Sequence, residues 1–225
     1  GDNVQPIAGK APVDPIPQVH KGLGRVQERS AHTEGGVLGV QGGPAMESID
    51  GSLKTMGFDY IDLMLIHSPQ PWVEVNQSEN RYMEENREVW RAMEDALQAG
   101  KLRAIGISNF LEEDIDNLLE SCTVKPMVNQ VLAHITNTPF ELLDYCRKQH
   151  ILVEAYSPVA HGEALKNPKI AAMAEKYGVS PAQLCIKYDL QLGLIVLPKT
   201  KDVKHMEENA RMDFVISEED MDVLK

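Results

Sequence analysis

Residues able to do chemistry recur in this chain at one kind of place, just after a short apolar run. His67 closes "IDLMLIH", and Ser108 and Asn109 close "LRAIGISN". Gln130 closes "KPMVNQ", Tyr156 and Ser157 close "ILVEAYS", and Lys199 and Thr200 close "LIVLPKT". An imidazole at the end of a buried strand reads in two ways. It is a capping or hydrogen-bonded core histidine, or it is a catalytic or ligand-orienting group at the carboxyl end of a strand. Each of the others has an ordinary alternative as well. Ser108 and Asn109 are good helix N-caps, Tyr156 suits a half-buried strand position, and Lys199 suits a solvated one. Five consecutive runs ending this way point to a site.

The elements that must position these residues alternate. "AMESIDGSLKTMG" sets Met46, Ile49, Leu53 and Met56 at helical spacing and stops at Gly57. "NREVWRAMEDALQAGK" puts Val89, Trp90, Met93, Ala96 and Leu97 on one face, with Gly100 past its end. "LEEDIDNLLESC" is a further helix. Thr138, Pro139 and Glu141 open another with a capping-box pattern, Ser180 and Pro181 open "AQLCIKYDLQLG", and Ser217 caps the last. Between these helices lie the apolar runs, so strand and helix alternate with short connections. That is the pattern of βαβ units on a parallel sheet, an α/β fold.

Composition bounds the function. The 225 residues are 43% hydrophobic and 25% charged, ordinary for one soluble domain with a tail. Residues 1–44 are rich in Pro and Gly without sustained periodicity, and the expectation is an irregular or disordered segment there and a domain over 45–225. A net charge of −12 argues against nucleic acid or an anionic membrane as partner, while leaving room for a local basic pocket. No apolar stretch approaches the roughly 20 residues of a membrane helix. Cys122, Cys146 and Cys185 are far apart, odd in number and without metal spacing, so no metal site is expected. They suggest free thiols, and with no leader pattern at the amino terminus the expected location is cytoplasmic.

The motifs "FDYIDLMLIHSP", "GKLRAIGISNF", "VNQ", "EAYSP" and "LPKTKDVKHMEEN" occur in one order and spacing from about Ala45 to the end. In these the chain resembles the aldo-keto reductase family, in its bacterial diketogluconate-reductase-like branch. The resemblance implies a nicotinamide-binding barrel without a Rossmann fold. It places Tyr156 under the nicotinamide ring, with Ser108, Asn109 and Gln130 on the carboxamide. It places Ser157 and Val159 near the pyrophosphate, Lys199 and Thr200 on the adenosine 2′-phosphate, and Glu208 and Asn209 near the adenine. Many members carry an arginine where this chain has His205, a poorer phosphate clamp at neutral pH. The expected cofactor is NADP(H), with NAD(H) left open. His67 would orient and polarise the substrate carbonyl, and Trp72, His134 and Ile135 would line what the substrate meets.

The family's proton comes from a tyrosine whose pKa is lowered by a lysine paired with an aspartate, all from its first three βα units. Here no tyrosine precedes Tyr60, and Tyr60 comes before its strand. Lys10, Lys21, Lys54, Asp2, Asp14 and Asp50 sit in no matching motif. Five strands cannot close an eight-stranded barrel. The resulting expectation is an incomplete (β/α)8 TIM barrel, its last five βα units recognisable and its N-terminal strands absent or replaced. The strand at Ile61–Ile66 would then be an exposed edge, open to homodimers or aggregation. The expected function is reduction of an aldehyde or ketone by hydride transfer from NADPH, impaired by loss of the tyrosine. The alternatives are an inactive nucleotide-binding or scaffold protein and a non-functional truncated fragment.

Overall fold

The structure is a computed structural model and describes residues 30–33 and 42–225, with side chains from Ala45 onward. It begins with β1 (Ser30–Thr33), α1 (Gly42–Met56), β2 (Leu63–Ile66), α2 (Met83–Gln98) and β3 (Ile105–Ser108). α3 (Glu112–Leu119), β4 (Val128–Leu132), α4 (Phe140–Gln149) and β5 (Leu152–Tyr156) follow. The chain then runs through α5 (Pro168–Tyr177), α6 (Pro181–Gln191), β6 (Ile195–Leu197), α7 (Val203–Ala210) and α8 (Glu218–Leu224).

The six strands form one sheet in the order β1-β2-β3-β4-β5-β6, every neighbouring pair parallel. This is the expected incomplete (β/α)8 barrel, with one strand more than the sequence suggested. Ser30–Thr33 pairs with Leu63–Ile66, so β2 is an interior strand and not the exposed edge expected of it. Among the described residues the end strands of the sheet are β1 and β6. The remainder of 1–44, apart from the first turn of α1, lies outside the described residues.

Helix α2 shows why the alternation works. Its apolar residues recur every three or four positions, and Val89, Trp90, Met93 and Ala96 are buried on the sheet while its charged face meets water. The Trp90 indole N–H donates to Val124 O at 3.0 Å, so the largest core side chain leaves no orphan donor. Ser180 and Ser217 cap α6 and α8 as expected. Thr138 does not cap α4. Its hydroxyl lies 3.1 Å from both His134 O and Tyr188 Oη, and Pro139 occupies the cap position without a side-chain bond. A tertiary contact has taken the hydroxyl that a local cap would use.

Register puts alternate residues on the barrel's inner face. Ser108 lies opposite Gln130, Gln130 opposite Glu154, and Glu154 opposite Ile195. Gly106 occupies the same face of β3. A Cβ there would stand 2.7 Å from both Leu65 Cδ2 and Val128 O, so only glycine lets β2 and β4 approach this closely. Cys146 and Cys185 are buried core residues and Cys122 is half-buried, all free thiols. Among the described residues no helix is long and apolar enough to cross a membrane, and no group of three His, Cys, Asp or Glu is placed to hold a metal ion.

One core group is costly. Asp189 on α6 is fully buried, and neither carboxyl oxygen has a hydrogen-bond partner. Burial pushes its pKa up to about 8. The folded chain therefore keeps a proton that the unfolded chain has released from about pH 4 upward. The contribution to stability is complete below that point and falls as pH rises toward 8, by up to about 1.4 kcal/mol per pH unit. Asp189→Asn removes the exchange. Urea unfolding is expected to show the variant more stable than wild type near pH 8, with the gap closing as pH falls toward 5.

Candidate functional site

Because all strands run parallel, their carboxyl ends share one edge, and the polar residues that follow them meet there. His67 comes directly after β2. Its ring is half-buried and stacks on Trp72, with centroids 5.1 Å apart and planes 5° from parallel. Trp72 is 53% exposed, so one face of this pair is open to solvent.

Asn109 ties the strand ends together. It follows β3 in the left-handed region, φ 60°. Its Nδ2 donates to His67 O and to Ser108 Oγ, both at 3.1 Å. Its Oδ1 accepts from the Tyr156 hydroxyl at 2.9 Å. Ser108 is buried and donates its own hydroxyl to Gln130 O at 2.9 Å. Neither Ser108 nor Asn109 caps α3, whose N-cap is Leu111. Gln130 Nε2 donates to Glu154 Oε2 at 2.8 Å, which leaves its Oε1 and second amide hydrogen without a protein partner among the described residues. Burial raises the Tyr156 phenol above its ordinary pKa, so it stays protonated and donates.

Beyond β5 the chain turns sharply. Ser157, Ala160 and His161 all have positive φ (55°, 49° and 53°), and Ser157 Oγ lies 3.4 Å from His161 Nε2. His134 is buried, its Nδ1 3.0 Å from Thr136 Oγ1. Burial, reinforced by the charge of His161, holds its pKa below the usual imidazole value. It is a neutral, internally bonded group.

A second cluster lies past β6. Val159, Lys199, Thr200, His205, Glu208 and Asn209 line one cavity of about 300 Å³. The first turn of α6, Ser180 to Ala182, whose amino end carries positive dipole charge, lines it as well. Asp202 caps α7 by accepting from Lys204 N at 2.8 Å, which sets His205, Glu208 and Asn209 on the helix beside Lys199.

Sequence reasoning missed two participants. Glu154 braces Gln130, and strand alternation could have found it, since it sits two residues before Tyr156. Ser180 to Ala182 were read only as a helix start. Of the residues weighed as the family's tyrosine, lysine and aspartate, the described ones are Tyr60, Lys54 and Asp50, and they lie before β2 or on α1. β1 reads Ser-Ala-His-Thr. Tyr60 precedes β2, its ring 3.6 Å beneath the Arg103 guanidinium. Asp50, on α1, pairs with Lys101 at 2.6 Å, and Lys54 is an exposed residue of the same helix. Lys10, Lys21, Asp2 and Asp14 lie outside the described residues.

Residues 39–225 match the sequence profile of the Aldo/keto reductase family. The chain belongs to that family. It is 40% identical over 178 residues to a glyoxal reductase of Bacillus subtilis, covering 79% of this chain and 60% of the relative. Among solved structures it resembles an aldo-keto reductase enzyme from a Medee basin deep-sea metagenome library, with a TM-score of 0.76 at 31% identity, covering 87% of this chain and 68% of that one. A Bombyx mori aldo-keto reductase in complex with NADP gives a TM-score of 0.73 at 30% identity, covering 87% and 66%. The chain spans about three fifths of the length of the curated relatives it matches.

The Asn109 node can be tested without ligand. Asn109→Gly keeps the left-handed backbone and loses three side-chain hydrogen bonds, an expected loss of about 1.5–4 kcal/mol in urea unfolding. Asn109→Ala adds the strain of a Cβ at positive φ and should be about 1 kcal/mol worse.

Proposed function

We propose that this aldo-keto reductase chain binds NADP(H) across the strand ends and serves the reduction of a small aldehyde or ketone. The observation that carries the reading is the shared cavity. Val159, which directly follows the "EAYSP" motif, and five residues of the "LPKTKDVKHMEEN" motif line a single space of about 300 Å³.

The residues suit the group. Lys199 offers a point charge to a 2′-phosphate, and Thr200 offers a hydroxyl. His205 offers no planar two-point fork of the kind an arginine brings to a phosphate, so NADH is the weaker alternative and not an excluded one. Glu208 and Asn209 offer acceptors and an amide to an adenine edge. At the other end Gln130 keeps a donor and an acceptor for a carboxamide, and Tyr156, held by Asn109, presents its ring face. When bound, a nicotinamide cofactor supplies the hydride. His67 is the group that would hydrogen-bond a carbonyl oxygen as charge develops on it. Its stack on Trp72 sets the ring plane and would offer such a substrate an aromatic wall. The free thiols fit a reducing cytoplasm.

A second reading, nucleotide binding without turnover, is favoured by the position of Tyr60, which lies before β2 beneath Arg103 and cannot act as the acid at the strand ends. If no tyrosine serves as the acid, reduction is expected to fall by the roughly 10²–10⁴-fold that general acid catalysis contributes. What remains should run through His67 as the hydrogen-bond donor to the carbonyl oxygen. An NADPH-oxidation assay with a simple aldehyde checks this, and a rate in the ordinary enzyme range would show that another acid is present. NADPH titration by fluorescence tests the nucleotide. Lys199→Ala should weaken binding by the roughly 1.5–3 kcal/mol of a charge-assisted phosphate contact. Equal affinity in the two proteins would remove Lys199 from the site.

A further inference from the structure

The segment joining β2 to α2 carries Trp72 and contains no regular helix or strand. It is held by a buried hub. Gln70 is 0% exposed, and its Nε2 donates to Ser78 O at 2.8 Å and Asn80 O at 2.6 Å. Its Oε1 accepts from Asn76 N at 2.6 Å and Arg81 Nη1 at 3.1 Å. Arg81, with its side chain 11% exposed, then forks onto Asp114 of α3. Its Nε donates to Oδ1 at 2.9 Å and its Nη2 to Oδ2. The same Nη2 donates to Asn76 Oδ1 at 3.2 Å, and Asn76 Nδ2 donates to Asn109 O at 3.2 Å. Asp114 also accepts from Leu111 N at 2.9 Å, at the start of α3.

A continuous hydrogen-bonded path therefore runs from α3, through Arg81 and Asn76, to the backbone of the residue that joins His67, Ser108 and Tyr156. A buried ion pair is weak evidence for stability, since desolvating both charges offsets their attraction. Burial indeed outweighs the guanidinium and raises the Asp114 carboxyl above its ordinary range. What a planar fork supplies is direction, with both partners fixed in one plane.

We propose that Arg81 is a positioning residue for the nicotinamide end of the site. Its fork on Asp114 sets residues 70–76, and through Asn76 it sets Asn109 and the Trp72–His67 stack. The proposal rests on the dinucleotide reading above. It makes the two ends of the site separable, because nothing in this path touches the cavity of Lys199 and Asn209.

The experiment compares NADPH with 2′,5′-ADP, which has the adenosine and 2′-phosphate but no nicotinamide, by calorimetry on wild type, Arg81→Met and Asn76→Gly. Asn76→Gly keeps the left-handed backbone and the Arg81–Asp114 pair while deleting the link to Asn109, so it tests the path even if Arg81→Met fails to fold. Acrylamide quenching of tryptophan fluorescence is read in parallel. Trp90 is 1% exposed and shielded, so the quenchable signal is that of Trp72. Both variants should lose about tenfold in NADPH affinity, the equivalent of one or two hydrogen bonds. They should hold 2′,5′-ADP within about twofold, and Arg81→Met should make Trp72 more quenchable. Equal weakening of NADPH and 2′,5′-ADP in folded variants would overturn the proposal, as would unchanged NADPH affinity in them. If wild type bound neither nucleotide, the dinucleotide reading would fall, and unchanged Trp72 quenching in Arg81→Met would overturn the positioning role on its own.

Discussion

The Asn109 side chain has one carbonyl oxygen and two amide hydrogens, and all three are engaged by groups from other positions at the strand ends. That arrangement requires the backbone at φ 60°, a conformation in which asparagine is tolerated and most residues are strained. It also requires β2, β3 and β5 to end at one level, which the parallel register supplies. The rest of the strand-end geometry follows from it. Tyr156 is held by its hydroxyl, Ser108 is turned to Gln130 O, and the carbonyl of His67 is fixed while its ring is left to stack on Trp72.

The two ends of the proposed site are built by different physics. The strand ends are a hydrogen-bond network centred on the Asn109 amide, whose three partners specify its orientation. The cavity beyond β6 is a surface recess with exposed Lys199 and His205, floored by α7 and the amino end of α6. In a chain of net charge −12, any attraction of an anion to such a recess would come from a few local groups and not from the field of the whole protein.

Much of this was legible in the sequence because parallel strands with helical crossovers leave a readable trace: an apolar run, then polar residues, then a cap. His67, Ser108, Asn109, Gln130, Tyr156 and Lys199 all follow that trace, and Ser180 and Ser217 sit where their hydroxyls can close a local loop. β1 left none. Ser-Ala-His-Thr has no apolar alternation, and its strand identity comes from pairing with Leu63–Ile66. The Arg81 hub was equally silent, since its bonds join residues 33 apart and no local pattern marks them. Thr138 read as a helix cap because the alternative, a bond to Tyr188 fifty positions on, is invisible to any window.

The central claim is that one dinucleotide spans both ends. Amide hydrogen exchange measured with and without NADPH tests it most directly, because it reports each segment separately. The account predicts slower exchange on adding NADPH in two places, at residues 107–110 with 129–132 and at residues 198–209. Unchanged exchange at both, or protection confined to segments away from them, would contradict it.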